Sequence, residues 1–153
     1  MPPSVPAHCY DKAIELLARR PHFRRELGVK LLARGYDHEV TSATLDRVDD
    51  EGLIDDRQNA LTLAFGAMRR KGFGPRRMRA NLETKGVDPE IAAAVVEEVF
   101  PDREAELEAA RTVIERWRLS RSVDRAKAGR HLERKGYSTG VVLQVLDELN
   151  LSR

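Results

Sequence analysis

LLARGY at Leu31–Tyr36 returns as LETKGV at Leu82–Val87 and again as LERKGY at Leu132–Tyr137. Each copy reads Leu, two variable residues, a base, Gly and an apolar residue. The glycines Gly35, Gly86 and Gly136 stand 51 and 50 residues apart, the spacing of a repeated supersecondary unit. A glycine directly after a base, closing an apolar-periodic stretch, marks a helix C-terminus, because Gly enters the left-handed region without a Cβ clash. Asp37, Asp88 and Ser138 follow two residues later as candidate N-caps, whose oxygens can accept from the free amides of a next helix.

Alignment on these glycines brings Val40, Ile91 and Val141 into register, and likewise Leu45, Val96, Leu146 and Val48, Val99, Leu149. Such spacings describe one buried helix face. Upstream of each glycine helix lies a further periodic stretch, at Lys12 to Arg19, Asp56 to Arg70 and Asp102 to Arg118. No segment alternates at period two long enough to form a strand. The expected fold is all-α: a tandem repeat of three three-helix modules forming an elongated, curved body. Residues 1–10 are expected as a flexible lead, with the modules at 11–50, 51–100 and 101–153.

The chain of 153 residues is 34% charged and 41% hydrophobic, so its apolar side chains belong on stripes of surface helices. No run approaches the ~18 apolar residues of a membrane span, and no secretory leader is legible at the N-terminus, so a cytoplasmic location is expected. Cys9, the single cysteine, cannot form an internal disulfide and lies in the Pro-rich lead.

The net charge is only +2, yet the charges are banded. Arg19 to Arg34 holds six bases against one acid, Arg69 to Lys85 seven against one, and Arg111 to Lys135 nine against three. Between them, Asp46 to Arg57 carries six acids and two bases, and Asp88 to Glu108 eight acids and one base. Solvated faces account for many such charges, but recurrence on the middle helix of every module points to a contact surface. Pro75 suits the first position of a helix, which puts Arg76 and Arg77 in the first turn, where the macrodipole disfavours cations. That placement predicts an anion receptor at KGFGPRRMR.

Other chemistry finds no support. KGFGP lacks the Lys-Ser/Thr ending of a phosphate loop. His8, His22, His38 and His131 are scattered and read as surface residues, and the acids around Gly52 lack calcium-loop spacing, so no metal or cofactor is expected. Carboxylates alternate with bases rather than sharing an apolar pocket, and no catalytic residues are expected. Phe23, Phe65 and Trp117 are expected in the core, Phe73 and Tyr10 freer, and Tyr36 and Tyr137 beside their glycine caps.

DEGLIDDRQNA (Asp50 to Ala60), followed by RRKGFGPRRMRANLETKGVD (Arg69 to Asp88), resembles the central signature of the RecX family, in which a Gly-Leu-Ile/Leu-Asp-Asp connector leads to a Lys-Gly-x-Gly-Pro helix ending in Lys-Gly. LLARRPHFRRELGVKLLARGYDHEV is similar to the family's first module, and LERKGY carries a looser third match. The chain departs from the pattern at Asn59 (usually aromatic), Asn81 (commonly Glu) and Phe23 (often a capping Ser). The resemblance covers about Lys12 to Leu149. It implies a non-enzymatic regulator that binds the helical groove of the RecA filament on single-stranded DNA and there lowers its ATPase, strand-exchange and co-protease activities or hastens its disassembly; a monomer is expected. Arg70, Lys71, Arg76, Arg77 and Arg79 are the expected central contacts, with Arg24, Arg25, Lys30, Arg125, Lys127 and Arg130 flanking them. A direct nucleic-acid binder acting without RecA, and a helical scaffold whose bands only stabilise the array, are the alternatives.

Overall fold

A computed structural model describes residues 4–149. Among them the chain forms nine α-helices and no strand: α1 (Val5–Arg19), α2 (Arg24–Ala33), α3 (His38–Asp50), α4 (Asp56–Lys71), α5 (Pro75–Thr84), α6 (Pro89–Val99), α7 (Arg103–Ser120), α8 (Arg125–Lys135) and α9 (Thr139–Glu148). Helices pack closely within consecutive threes, and each triplet encloses its own apolar cluster. Cys9, Leu16, Leu27, Leu31 and Val48 fill the first, Phe73, Met78, Leu82, Val95 and Val99 the second, and Leu107, Ile114, Leu132, Tyr137 and Val145 the third. The repeated leucines Leu31, Leu82 and Leu132 all lie at these centres, at 0–1% exposure. Truncating any of them to Ala removes about 2–5 kcal/mol.

The three glycines adopt φ of 93°, 92° and 94° at Gly35, Gly86 and Gly136, as their C-terminal position requires. After two of them the next residue returns its amide to the repeated leucine: Val87 to the Leu82 carbonyl at 3.1 Å and Tyr137 to that of Leu132 at 3.2 Å. Asp37 then accepts from the Val40 amide at 2.8 Å and Asp88 from that of Glu90 at 2.9 Å. Ser138 is the exception. It sits at the N-cap of α9 but makes no capping bond, and its amide instead donates to Glu106 at 2.7 Å. Gly28 and Gly129, which lower helix propensity, let Leu45 and Leu146 approach α2 and α8; a Cβ would stand 3.1 and 3.4 Å from those leucine methyls.

Several expectations are corrected. The N-terminal lead is helical from Val5, because Ser4 caps the Ala7 amide, Pro6 fits the first turn, and Cys9, Ala13 and Leu16 share the buried face. Residues 1–3 of that lead and 150–153 of the expected third module lie outside the described residues. His22 is buried, held between the Arg20 carbonyl and the Lys30 ammonium. Phe65 is 38% exposed and Phe73 only 6%. Tyr10 is half-buried, with the Arg47 guanidinium 3.5 Å from its ring centre and its hydroxyl on Glu51.

Candidate partner-binding surface

Two of the three middle helices, α2 and α5, begin without a side-chain cap. Five of the other helices start with an Asp or Ser side chain bonded to a first-turn amide, and so does α8, through Asp124. Neither α2 nor α5 has such a bond, since Phe23 and Gly74 occupy their N-caps. Their free amides are met by the following module instead. The Arg24 amide donates to Asp56 of α4 at 2.9 Å. At α5, the Gly74 amide donates to the Lys135 carbonyl at 2.7 Å and the Arg76 amide to Gly136 at 3.1 Å.

Phe23 completes the first of these joints by inserting into the second module's core. Asn59, where the family pattern has an aromatic, donates to the His22 carbonyl at 3.3 Å. The buried Asn81 Oδ1 has no hydrogen-bond partner. Burial holds the Asp56 carboxyl above the usual range, against the lowering effect of the Arg24 amide.

This arrangement accounts for the arginines at the start of α5. Arg76 donates to the Glu133 carbonyl at 3.2 Å and Arg77 to that of Arg134 at 3.1 Å, so both neutralise the negative C-terminal end of α8. The Gly74 and Arg76 amides and one nitrogen of each guanidinium are thus engaged within the chain by carbonyls at the end of α8, while both arginine side chains stay exposed. Lys135 and Arg116 do the same for α4, donating to the carbonyls of Lys71 and Arg69, each at 2.7 Å. Lys71, Arg77 and Lys135 gather around the Phe73 ring at 5.6, 4.5 and 5.8 Å. Burial, then the nearby Arg77 and Lys71 charges, lowers the Lys135 pKa.

The remaining expected contacts divide clearly. Arg24 pairs with Asp46 and Asp49, Lys30 with Glu26, Arg79 with Glu83, Arg125 with Asp147, and Lys127 lies 4.0 Å from Asp124. Arg25, Arg70, Lys71 and Arg130 are exposed and have no acid partner among the described residues. Arg70 and Lys71 share one place, the rim of a groove of about 560 Å³ where the end of α4 meets α7 and α8. Val113 and Trp117 lie in its floor, and Arg69, Arg116 and Lys135 join its rim. Trp117 stacks on His131 at 4.0 Å. Burial, then Lys135, Arg134 and Arg121, lowers the His131 pKa. Sequence reasoning passed over Arg116, Lys135 and His131 as site members; the repeat register of Lys85 and Lys135 was the available signal for one of them.

Two family profiles match the chain: the RecX first three-helix domain over residues 9–47 and the RecX second three-helix domain over residues 55–96. Over 132 residues the chain is 42% identical to the regulatory protein RecX of Thermus thermophilus, spanning 86% of this chain and 85% of that one. The chain belongs to the RecX family. The regulatory protein RecX of Amycolatopsis mediterranei is 36% identical over 160 residues, spanning 97% and 90% of the two chains. The crystal structure of RecX from Lactobacillus salivarius shares the fold, with a TM-score of 0.83 over 95% of this chain and 96% of that one at 23% identity. This RecX-family chain is thus a member of a family of regulatory proteins. Among its described residues there is no cluster of three or more His, Cys, Asp or Glu side chains able to hold a metal ion, and no helix long and apolar enough to cross a membrane.

Proposed function

We propose that this chain regulates the RecA recombinase by binding, as a monomer in the cytoplasm, to the filament that RecA forms on single-stranded DNA, and that it restrains the filament's ATPase, strand-exchange and co-protease activities without catalysing a reaction itself. Family membership carries the regulatory part of this reading. The single structural observation that supports a filament as the target is the pattern of uncommitted cations. Of the expected contacts, Arg25, Arg70, Lys71 and Arg130 are exposed and without an acid partner or internal carbonyl bond among the described residues, and they are distributed over all three modules. A polymer offers its charges in the same distributed way. Arg70 and Lys71 are the central contacts of this reading, and Arg25 and Arg130 the flanking ones.

RecA's DNA-dependent ATPase, measured with and without the chain and beside binding to naked single-stranded DNA, tests the proposal. Inhibition at concentrations where the naked strand is not bound is the expected result. Binding to the naked strand with a salt slope of roughly 0.7 per phosphate contact, and no RecA-dependent effect at fixed salt, would replace it with direct nucleic-acid binding.

A further inference from the structure

The groove at the end of α4 has a counterpart of about 640 Å³ between the first and second modules. The two are related residue by residue. Thr62, Leu63 and Lys85 line the first groove, and Thr112, Val113 and Lys135 line the second, each 50 residues further along the chain. Arg70 lines both. A repeat that preserves its crevice at both joints, with an aliphatic side chain in the floor and a lysine at the rim, provides the same recognition chemistry twice.

The rim of the second groove is strongly basic: Arg69, Arg70, Lys71, Arg116 and Lys135 surround it, with Glu108 the one acid lining it. Its floor is aliphatic apart from Trp117, whose ring is stacked on His131 at 4.0 Å and overlain by Arg121 at 5.5 Å. A single-stranded nucleic acid would need an open aromatic face on which to stack a base. A peptide needs an apolar slot for an anchor and bases for its carboxylates, which is what this groove contains. We infer that the two joint grooves are equivalent docking sites for an acidic peptide segment carrying an aliphatic anchor, so that a partner displaying that segment on successive copies is held at two points. The two-point part of this inference rests on the filament reading; the occupancy of each groove does not.

Trp117 is the only tryptophan in the chain, so its emission reports on the second groove alone. The probe is a short synthetic peptide of alternating glutamate and leucine, compared at one salt concentration with its glutamine counterpart and with oligothymidylate. The expected result is a saturable change in Trp117 emission with the glutamate peptide only, and two sites per chain by calorimetry. Arg70→Glu is expected to weaken both sites by about tenfold or more. Thr112→Glu removes the site that Trp117 reports, while Thr62→Glu removes the other and leaves the emission change intact; both threonines are exposed, so the fold is retained, as circular dichroism would check.

No emission change, equal binding of the glutamine peptide, tighter binding of oligothymidylate, or peptide binding unaffected by Arg70→Glu would each overturn the inference. RecA-filament binding measured in parallel separates the two proposals. A chain that binds the filament and ignores the peptide loses only the grooves; one that takes the peptide and ignores the filament loses only the RecA reading.

Discussion

The Tyr137 hydroxyl donates to the Gly72 carbonyl at 3.0 Å, a buried bond across the joint between the second and third modules. Gly72 ends α4 in the left-handed conformation and Tyr137 follows the glycine that ends α8, so one hydrogen bond links the termini of two helices in different modules. Tyr137→Phe keeps the ring in the core and leaves the buried carbonyl short of a donor. The expected loss is about 1–3 kcal/mol, read as a lower urea midpoint with an unchanged slope. An unchanged midpoint would show that the bond contributes nothing.

The three repeat glycines share a backbone conformation but not its surroundings. A Cβ on Gly35 meets nothing within 4 Å, whereas one on Gly136 stands 2.3 Å from the Arg77 amide nitrogen. Gly35→Ala therefore adds only left-handed strain, about 1–2 kcal/mol. Gly136→Ala adds the same strain and also displaces the start of α5 from α8. Thermal unfolding of the two variants is expected to show the larger fall for Gly136→Ala; equal falls would contradict the docking of the two helices.

Asp56 serves a helix of the preceding module, since its carboxylate accepts from the first amide of α2. Asp56→Ala is expected to cost about 1 kcal/mol, as loss of an ordinary N-cap does. The loss should appear as faster amide exchange at Arg24, in a different module from the substitution. Faster exchange confined to α4 would count against the cross-module cap.

At the C-terminal end, Arg111 bonds Glu148 at 2.7 and 3.0 Å and Glu104 at 2.8 Å. The Arg111 guanidinium, with help from Gln144, holds the Glu148 carboxyl down to about 2 from its ordinary 4.5. Below 4.5 the unfolded chain takes up this proton before the folded one, so the stabilisation is complete above that pH and is lost as pH falls from 4.5 towards 2. Glu148→Gln is expected to flatten that part of the stability profile. A profile identical to the parent's would remove the claim.

His22 titrates in the opposite charge sense but with the same dependence on falling pH. Its Nδ1 lies 2.9 Å from the Arg20 carbonyl and its Nε2 2.8 Å from the Lys30 ammonium, a geometry that suits a neutral ring donating at the first nitrogen and accepting at the second. Burial first, and then the neighbouring Lys30 and Arg20, depress its pKa below 6.5. The unfolded state therefore gains the proton first, and stability declines as pH drops below about 6.5. Histidine resonances followed through a pH titration check this directly: the His22 signal should titrate below 6.5. A midpoint at or above 6.5 would show that the ring is not held neutral.

Much of the fold was legible because its signals are local. Leu31, Leu82 and Leu132, their glycines and the Asp37 and Asp88 caps act within a few residues of one another. The interactions that join modules are not local. Nothing around Phe23 announces that it leaves its own helix for the second module's core, and His22 gave no sign of burial because its partners are a carbonyl and a lysine. The arginines of α5 were identified as misplaced against their own helix dipole, which was correct. The charge that favours them belongs to α8, some 57 residues away, and only the tertiary structure supplies it. Exposed bases were visible in the sequence as bands; which of them are free depended on acids such as Asp46 and Asp147 folding back from other helices.

The amides of Gly74 and Arg76 rest on the last carbonyls of α8, so main-chain atoms rather than adaptable side chains set the angle between the second and third modules. Prising them apart would strand four backbone groups together, at about 1–3 kcal/mol for each one left unmet. Such a connection resists gradual bending and yields only by letting go. A force applied to one end of the array reaches the other through a stiff lever, with little of it lost as flexing at this hinge.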